Sequence, residues 1–226
     1  MAKNKMRKET PQIIIASYHK TGTLLFYKIF EEYKKYNDKF NFQFVDHFNE
    51  VEDITVLKSK CIVIIRHPYE IIMSAMRWHQ VATAKQEPWL YEPYNQLYSY
   101  YEYINSLKTI DEKILFEMDN SSGKNINKMY ENVKNRTTVL FIKLEDLWNR
   151  IDMIDVCKKI KVYLEYDIHM DKLVKAFESS LSFNHGIGNH RTNPKNCHTY
   201  IEFLKDIHYQ KIKKTFPSDL LEVLGY

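Results

Sequence analysis

The chain has 226 residues, 44% of them hydrophobic and 27% charged, a globular composition that excludes a disordered, collagen-like or low-complexity polymer. Its length fits one domain at roughly 150 residues per domain. The net charge of +4 is small and spread along the chain, which excludes bulk attraction to nucleic acid or a membrane and leaves room for a local anionic ligand. Cys61, Cys157 and Cys197 are odd in number and lack metal-motif spacing, so neither a disulfide framework nor a zinc cluster is implied.

Residues 1–11 read as a flexible tail and 12–226 as a single domain. The N-terminal segment is basic, but no apolar signal core follows it and no stretch approaches the ~18 apolar residues of a membrane span. The expectation is a cytoplasmic protein with no membrane span.

Residues 12–17 (QIIIAS) are a β-branched apolar run and read as a strand. The tight loop YHKTGT follows, then a helix on which Leu25, Phe26, Ile29, Phe30 and Tyr33 recur at helical spacing. Residues 41–48 read as a second strand, with Phe42 and Phe44 alternating against Gln43. Cys61 to Ile65 is a continuous apolar run of the kind buried on both faces of a parallel sheet, and Pro68 opens a helix carrying Ile71, Ile72, Ala75 and Met76. The tyrosine-dense stretch 89–107 reads as helical, followed by polar helical material to Asn135 with a break at 121–123. Residues 137–144 give another buried strand, closed by Glu145 and Asp146, and an amphipathic helix after Asp152 carries Ile154, Cys157, Ile160 and Leu164. The segment 182–197 reads as a loop of unusual length, of the kind that is commonly functional. A helix covers about 198–215.

This alternation predicts a three-layer α/β/α fold with a central, mainly parallel sheet. Ligands of such sheets bind at the C-terminal ends of the strands, where the loops 18–23 and 66–68 must lie.

Glycine is scarce, with 5 in the chain, which makes Gly22 informative. It stands in a strand-to-helix turn where Thr21, Gly22, Thr23 and Leu24 can present N–H groups, with two threonine hydroxyls and the Lys20 charge beside them, to a phosphate or sulfate. A nucleoside-triphosphate loop of the GxxxxGK[ST] type is absent, because the lysine precedes the glycine. Taken alone, the segment fits a plain capped turn equally well.

SYHKTGT with its following helix resembles the 5′-phosphosulfate loop of sulfotransferases that use 3′-phosphoadenosine 5′-phosphosulfate (PAPS). A second element sits in the expected order. IVIIRHPYEIIMS resembles the family's 3′-phosphate element, and Arg66 and Ser74 match it in type and spacing. A guanidinium and a hydroxyl brought together by a folded-back βα unit can share one phosphate. His67 stands where the family often has Asp or Asn. FIKLEDL (141–147) resembles a structural strand-plus-turn element, with Leu144 in place of Tyr. In the loop around His190 to Asn193, Arg191 alone carries over from the family's late 3′-phosphate loop, whose Gly is missing.

The resemblance implies a P-loop-like sulfotransferase architecture and transfer of a sulfuryl group from PAPS to a hydroxyl or amine, with adenosine 3′,5′-bisphosphate (PAP) as product. Such chemistry is mostly positioning and electrostatics and needs no metal. Lys20 is the residue expected to stabilise the leaving phosphate oxygen. The acceptor's proton needs a base, and FVDHF places Asp46 and His47 at the end of the second strand, where alternation turns one of them to the site. His47 ranks above Asp46 on its ordinary pKa; Glu50 ranks third. The tyrosines of 89–103 either line an acceptor pocket, suited to a glycan or another small molecule, or pack on the surface. His185, His190 and His198 fit no metal spacing. Two other readings stay open: a P-loop nucleotide or small-molecule kinase, and a non-catalytic nucleotide-binding protein.

Overall fold

Four short strands rich in isoleucine and valine pair side by side, all parallel, in the order β2–β1–β3–β4. They are β1 (Gln12–Ser17), β2 (Gln43–Val45), β3 (Ser59–Ile65) and β4 (Leu140–Lys143). This computed structural model describes residues 12–48, 51, 53–165, 167–182 and 200–226. The register of β1 on β3 runs from Gln12 opposite Ser59 to Ser17 opposite Ile64.

Strand alternation divides the core into two layers. Ile14 and Ala16 of β1 with Cys61, Val63 and Ile65 of β3 face α3 (Pro68–His79), α5 (Ile110–Asp119), α6 (Ser121–Asn135) and the last helix, α11 (Leu220–Leu224). Ile13, Ile15, Ile62 and Ile64 face the other way, onto α1 (Thr23–Lys34), α7 (Arg150–Leu164) and α8 (Met170–Ser182). The result is the three-layer α/β/α arrangement expected from the sequence. Cys61 and Cys157 are packing residues, and burial pushes their thiols up to about 11 and about 12.

Several boundaries differ from the sequence reading, each for a local reason. The strand expected over 41–48 is hydrogen-bonded over Gln43–Val45 alone, since β2 lies at the sheet's edge and pairs with β1. The tyrosine-dense stretch is helical at its two ends. Pro88–Tyr91 forms a 3-10 turn, Pro93 interrupts continuation, and the Asn95 side chain accepts from the amides of Leu97 and Tyr98, both at 2.9 Å. Helix α4 (Tyr100–Ser106) starts only where Ser99 and Glu102 form a capping box.

The break expected at 121–123 lies at Asn120, and Ser121, Ser122 and Gly123 are the first turn of α6. Strand β4 is shorter than 137–144 because Leu144–Leu147 winds into a 3-10 turn, and α7 starts at Arg150 behind an Asn149 cap. Helix α8, which the sequence reading left out, carries Leu173, Ala176 and Phe177 at helical spacing. The helix expected over 198–215 divides into α9 (Tyr200–Phe203) and α10 (Asp206–Thr215). The expected tail 1–11 and residues 183–199 of the long loop, with Arg191 and all three of its histidines, lie outside the described residues, as does Glu50.

Gly123 is needed where α5 turns into α6, because a Cβ there would collide with the carbonyl oxygen of Met118. Gly123→Ala is expected to destabilise the fold by about 1–3 kcal/mol through forced separation of the two helices. The urea midpoint of the variant measures this.

Candidate active site

The loop between β1 and α1 is built by its own hydroxyls. Thr21 is fully buried; its Oγ1 donates to the carbonyl of Tyr18 at 2.8 Å and accepts from the Tyr18 amide at 3.0 Å, while its own amide donates to the same carbonyl. Thr23 Oγ1 accepts from Ser17 Oγ at 2.9 Å. Both hydroxyls expected to face a ligand therefore brace the loop, and Thr21 shapes the loop rather than lining it. Gly22 is the N-cap of α1 at φ 97°, a left-handed conformation that needs no Cβ. The first-turn amides of α1, those of Thr23 and Leu24 among them, lack intrahelical acceptors by helix geometry and emerge at the positive end of the helix dipole.

Lys20, also at positive φ (65°), lays its ammonium over the Trp78 ring, 4.6 Å from the centroid. Burial lowers its pKa from 10.5 to about 7. The carboxylate of Glu87 opposes this shift, the Arg66 guanidinium adds to it, and Glu117 opposes it. Glu87 is itself clamped between two indoles, accepting from Trp78 Nε1 and Trp89 Nε1 at 2.9 Å each.

Arg66 follows directly on β3 and ties the two motif loops together. Its Nη1 donates to the Lys20 carbonyl at 3.2 Å and its Nη2 to Glu70 Oε2 at 3.1 Å. Ser74 is half-buried one helical turn beyond Glu70 on α3, so Glu70 and Ser74 share a face of that helix. His67 caps α3 through Nδ1, which accepts from the Tyr69 amide at 3.2 Å, the service an Asp or Asn gives in that place. Glu145, in the segment read as structural, accepts from the His67 amide at 3.0 Å and from the Tyr226 hydroxyl at 2.7 Å.

At His19 opens a cavity of about 390 Å³ whose walls also include His47, Trp89, Tyr94, Tyr100 and Asn125. His47 lines it and Asp46 does not. In the tyrosine-rich stretch Tyr94 and Tyr100 line the cavity, while Tyr91 and Tyr101 stack on each other with centroids 4.8 Å apart.

The sequence reading missed the polar core behind the cavity. His79 and Glu117 are fully buried; His79 Nδ1 lies 2.6 Å from Glu117 Oε1, and Ser122 Oγ donates to Glu117 Oε2 at 2.6 Å. The Nε2 atoms of His79 and His19 are 3.0 Å apart. Burial, with the Glu117 carboxylate beside it, pushes the Tyr100 hydroxyl upward, so it stays protonated. The available signal was His19, adjacent to Lys20 in the loop; nothing in the helical spacing of His79 or Glu117 marks them as polar. Among the described residues no group of three or more His, Cys, Asp or Glu side chains is placed to hold a metal ion, and no helix is long and apolar enough to cross a membrane.

No family sequence model matches the chain, and no curated protein matches it. Comparison with solved structures identifies the architecture: the chain has the sulfotransferase fold. It is similar to the crystal structure of mouse sulfotransferase SULT7A1 complexed with PAP, with a TM-score of 0.58 and 17% identity, over 94% of this chain and 84% of that one.

Gly22 has a neighbour as well as a dihedral to satisfy, since a Cβ on it would stand 3.0 Å from Leu144 Cδ1. Gly22→Ala is expected to cost about 1–2 kcal/mol from the left-handed conformation alone. The drop in melting temperature measures it.

Proposed function

We propose that this protein is a sulfotransferase that moves a sulfuryl group from PAPS to a hydroxyl or amine of a small molecule or glycan, releasing PAP. The observation that carries the reading is the convergence of two motifs 46 residues apart, in which the Arg66 guanidinium donates to the Lys20 carbonyl. The fold shared with a PAP-complexed sulfotransferase supports it.

The donor set fits the group. Lys20 and the amides of Gly22, Thr23 and Leu24 would hold the 5′-phosphosulfate end, and Arg66 with Ser74 the 3′-phosphate. Arg191, outside the described residues, is kept as a further contact to that phosphate. PAPS supplies the sulfuryl group and, as its leaving group, a phosphate ester. Lys20 stabilises the charge that gathers on the leaving oxygen, and its neighbours fix the line of attack. The aromatic cavity holds the acceptor, whose ring faces stack on Trp89 and Tyr94 while polar groups reach Asn125. An imidazole of the cavity wall takes the acceptor's proton; His47 is carried forward as such a group and Asp46 is not. Catalysis by this set requires no metal.

Thermal-shift measurement with PAP, ATP and GTP, with and without magnesium, tests the donor. Stabilisation by PAP without metal is expected, and preferential stabilisation by magnesium-ATP sinks the proposal in favour of a kinase. Mass spectrometry of a cell extract incubated with labelled PAPS then identifies the acceptor.

Two substitutions separate binding from turnover. Lys20→Ala is expected to lower kcat by on the order of 10²–10³, whereas Arg66→Ala weakens PAP by roughly 10–100-fold.

The depressed pKa of Lys20 gives a signed pH dependence. Below about 7 the ammonium is already charged and PAP affinity is flat. Above it, binding must take up a proton, because the phosphate favours the charged form. The affinity therefore falls by up to ~10-fold per pH unit until the pKa of the complex is reached. Calorimetry in buffers of different ionisation enthalpy reads the proton uptake, which Lys20→Met removes.

A further inference from the structure

The cavity at His19 has a wall that the proposed transfer leaves unused. Helix α6 runs along it and contributes two lysines, Lys124 and Lys128, while among the described residues no Asp or Glu lines the cavity. We infer that the acceptor is an acid: a sugar or aromatic ring that carries a carboxylate, sulfate or phosphate besides the hydroxyl or amine to be modified, with Lys124 and Lys128 holding that charge. This rests on the sulfotransferase reading above and deepens it by naming the acceptor's class.

Helical spacing puts the two lysines together. They stand one turn apart on the same side of α6, separated by about 6 Å along its axis. Both are exposed, and an ammonium on a long apolar stem reaches a ligand at the cavity mouth from there. Lys128 is shared with Glu131, 3.0 Å away at the surface. Lys124 has no ion pair among the described residues, which makes it the stronger of the two toward an incoming acid. The lysines follow the first turn of α6, where Asn120 and Ser121 also line the cavity, so the positive end of the helix dipole adds to the same sign.

This wall is fixed relative to the loop proposed to hold the donor. Between the lysines, Asn125 Nδ2 donates to the His19 carbonyl at 3.0 Å, and about two turns further on Asn132 Nδ2 donates to the Tyr18 hydroxyl at 2.8 Å. His19 directly precedes Lys20. On the other side the Tyr94 hydroxyl donates to Asn120 Oδ1 at 3.2 Å, which holds an aromatic face against the beginning of α6. A ring stacked on Trp89 and Tyr94 would therefore have the cationic side of α6 at its edge. The cavity volume of about 390 Å³ suits a molecule of one or two rings.

The sign of the charge is what singles this wall out. Glu87 and Glu117 attach to residues of the aromatic side, yet neither lines the cavity: the Trp78 and Trp89 indoles hold Glu87, and His79 and Ser122 hold Glu117. A solvated helix face commonly mixes both signs, as α6 does further along with Glu131 and Lys134. Its cavity side carries one sign. An acidic acceptor must also approach a donor that is itself anionic, and two cations on the acceptor side offset that repulsion, whereas a neutral acceptor has no need of them.

Calorimetry on the full chain, with and without PAP, tests this by comparing each acid with its neutral counterpart: hydroxynaphthoate against naphthol, and cellobiouronate against cellobiose. One acid is expected to bind ~5–20-fold tighter than its counterpart, the worth of a partly screened charged hydrogen bond, and to lose that margin as salt rises. Which acid shows it tells an aromatic acceptor from a sugar. The margin is expected to close in the double variant Lys124→Gln, Lys128→Gln and to turn in favour of the neutral compound when both lysines are replaced by Glu. A margin absent from both pairs, or unchanged in the Gln variant, overturns the inference. So does loss of PAP-induced stabilisation in a Gln variant shown by circular dichroism to be folded, since the lysines then serve the donor. Transfer from radiolabelled PAPS to the preferred acid reads the same margin in the acceptor KM, with the smaller change in kcat, because the lysines hold the acceptor and not the reacting atoms. Failure of PAP to stabilise the unsubstituted protein strikes the sulfotransferase reading instead, and the acid-binding cavity then stands or falls on the titrations without PAP.

Discussion

Because β1 and β3 run parallel and in register through Ser17 and Ile64, the loops that follow them leave the sheet at the same edge. Every feature of the site depends on that pairing. It sets the Lys20 carbonyl within reach of the Arg66 guanidinium, aims the start of α1 and the start of α3 at a common space, and leaves the end of β2 on the neighbouring flank. Had the strands been antiparallel, the two motifs would stand at opposite ends of the molecule. The isoleucines and valines that bury both faces of the sheet thus support the chemistry indirectly, by fixing the register.

A second constraint is the management of charge in a half-closed space. A buried ammonium, a guanidinium and three carboxylates lie within one neighbourhood, and each is answered by a specific partner. Glu70 neutralises Arg66, Glu87 faces Lys20 from its indole clamp, and Glu117 is held by His79 and Ser122. Lys20 is held far from its ordinary state, its ammonium destabilised by burial. An arriving phosphate would supply the counter-charge that the protein withholds, so recognition and activation fall on the same side chain.

The layer order and the two loops at the ends of β1 and β3 were legible in the sequence because they rest on short-range signals: apolar runs of strand length, helical spacing after Gly22, and residue types at fixed offsets such as Arg66 and Ser74. Positions governed by contacts between distant segments were not. Asp46 and His47 were a pair that alternation could divide but not assign; of the two, His47 stands in the cavity wall. Thr21 looked like a ligand contact because its hydroxyl is polar, yet a turn three residues wide uses both its donor and its acceptor internally. His79 and Glu117 stand in otherwise apolar helix faces on α3 and α5, and their partnership exists only once those helices pack. The tyrosine-rich stretch misled as a continuous helix because its prolines and Asn95 impose turns that composition alone does not weigh.

The indole clamp on Glu87 carries one consequence of a different kind. Trp78 and Trp89 are two of the 3 tryptophans in the chain; one lies under the Lys20 ammonium, the other in the cavity wall, and both hang from the same carboxylate. A cation over an indole changes the energy of its excited state, and so does a ring stacked against one. Drawing Lys20 away from its ring and filling the cavity would therefore perturb different chromophores joined at one anchor. The site carries its own optical reporter, with the lysine side and the cavity side written into separate tryptophans.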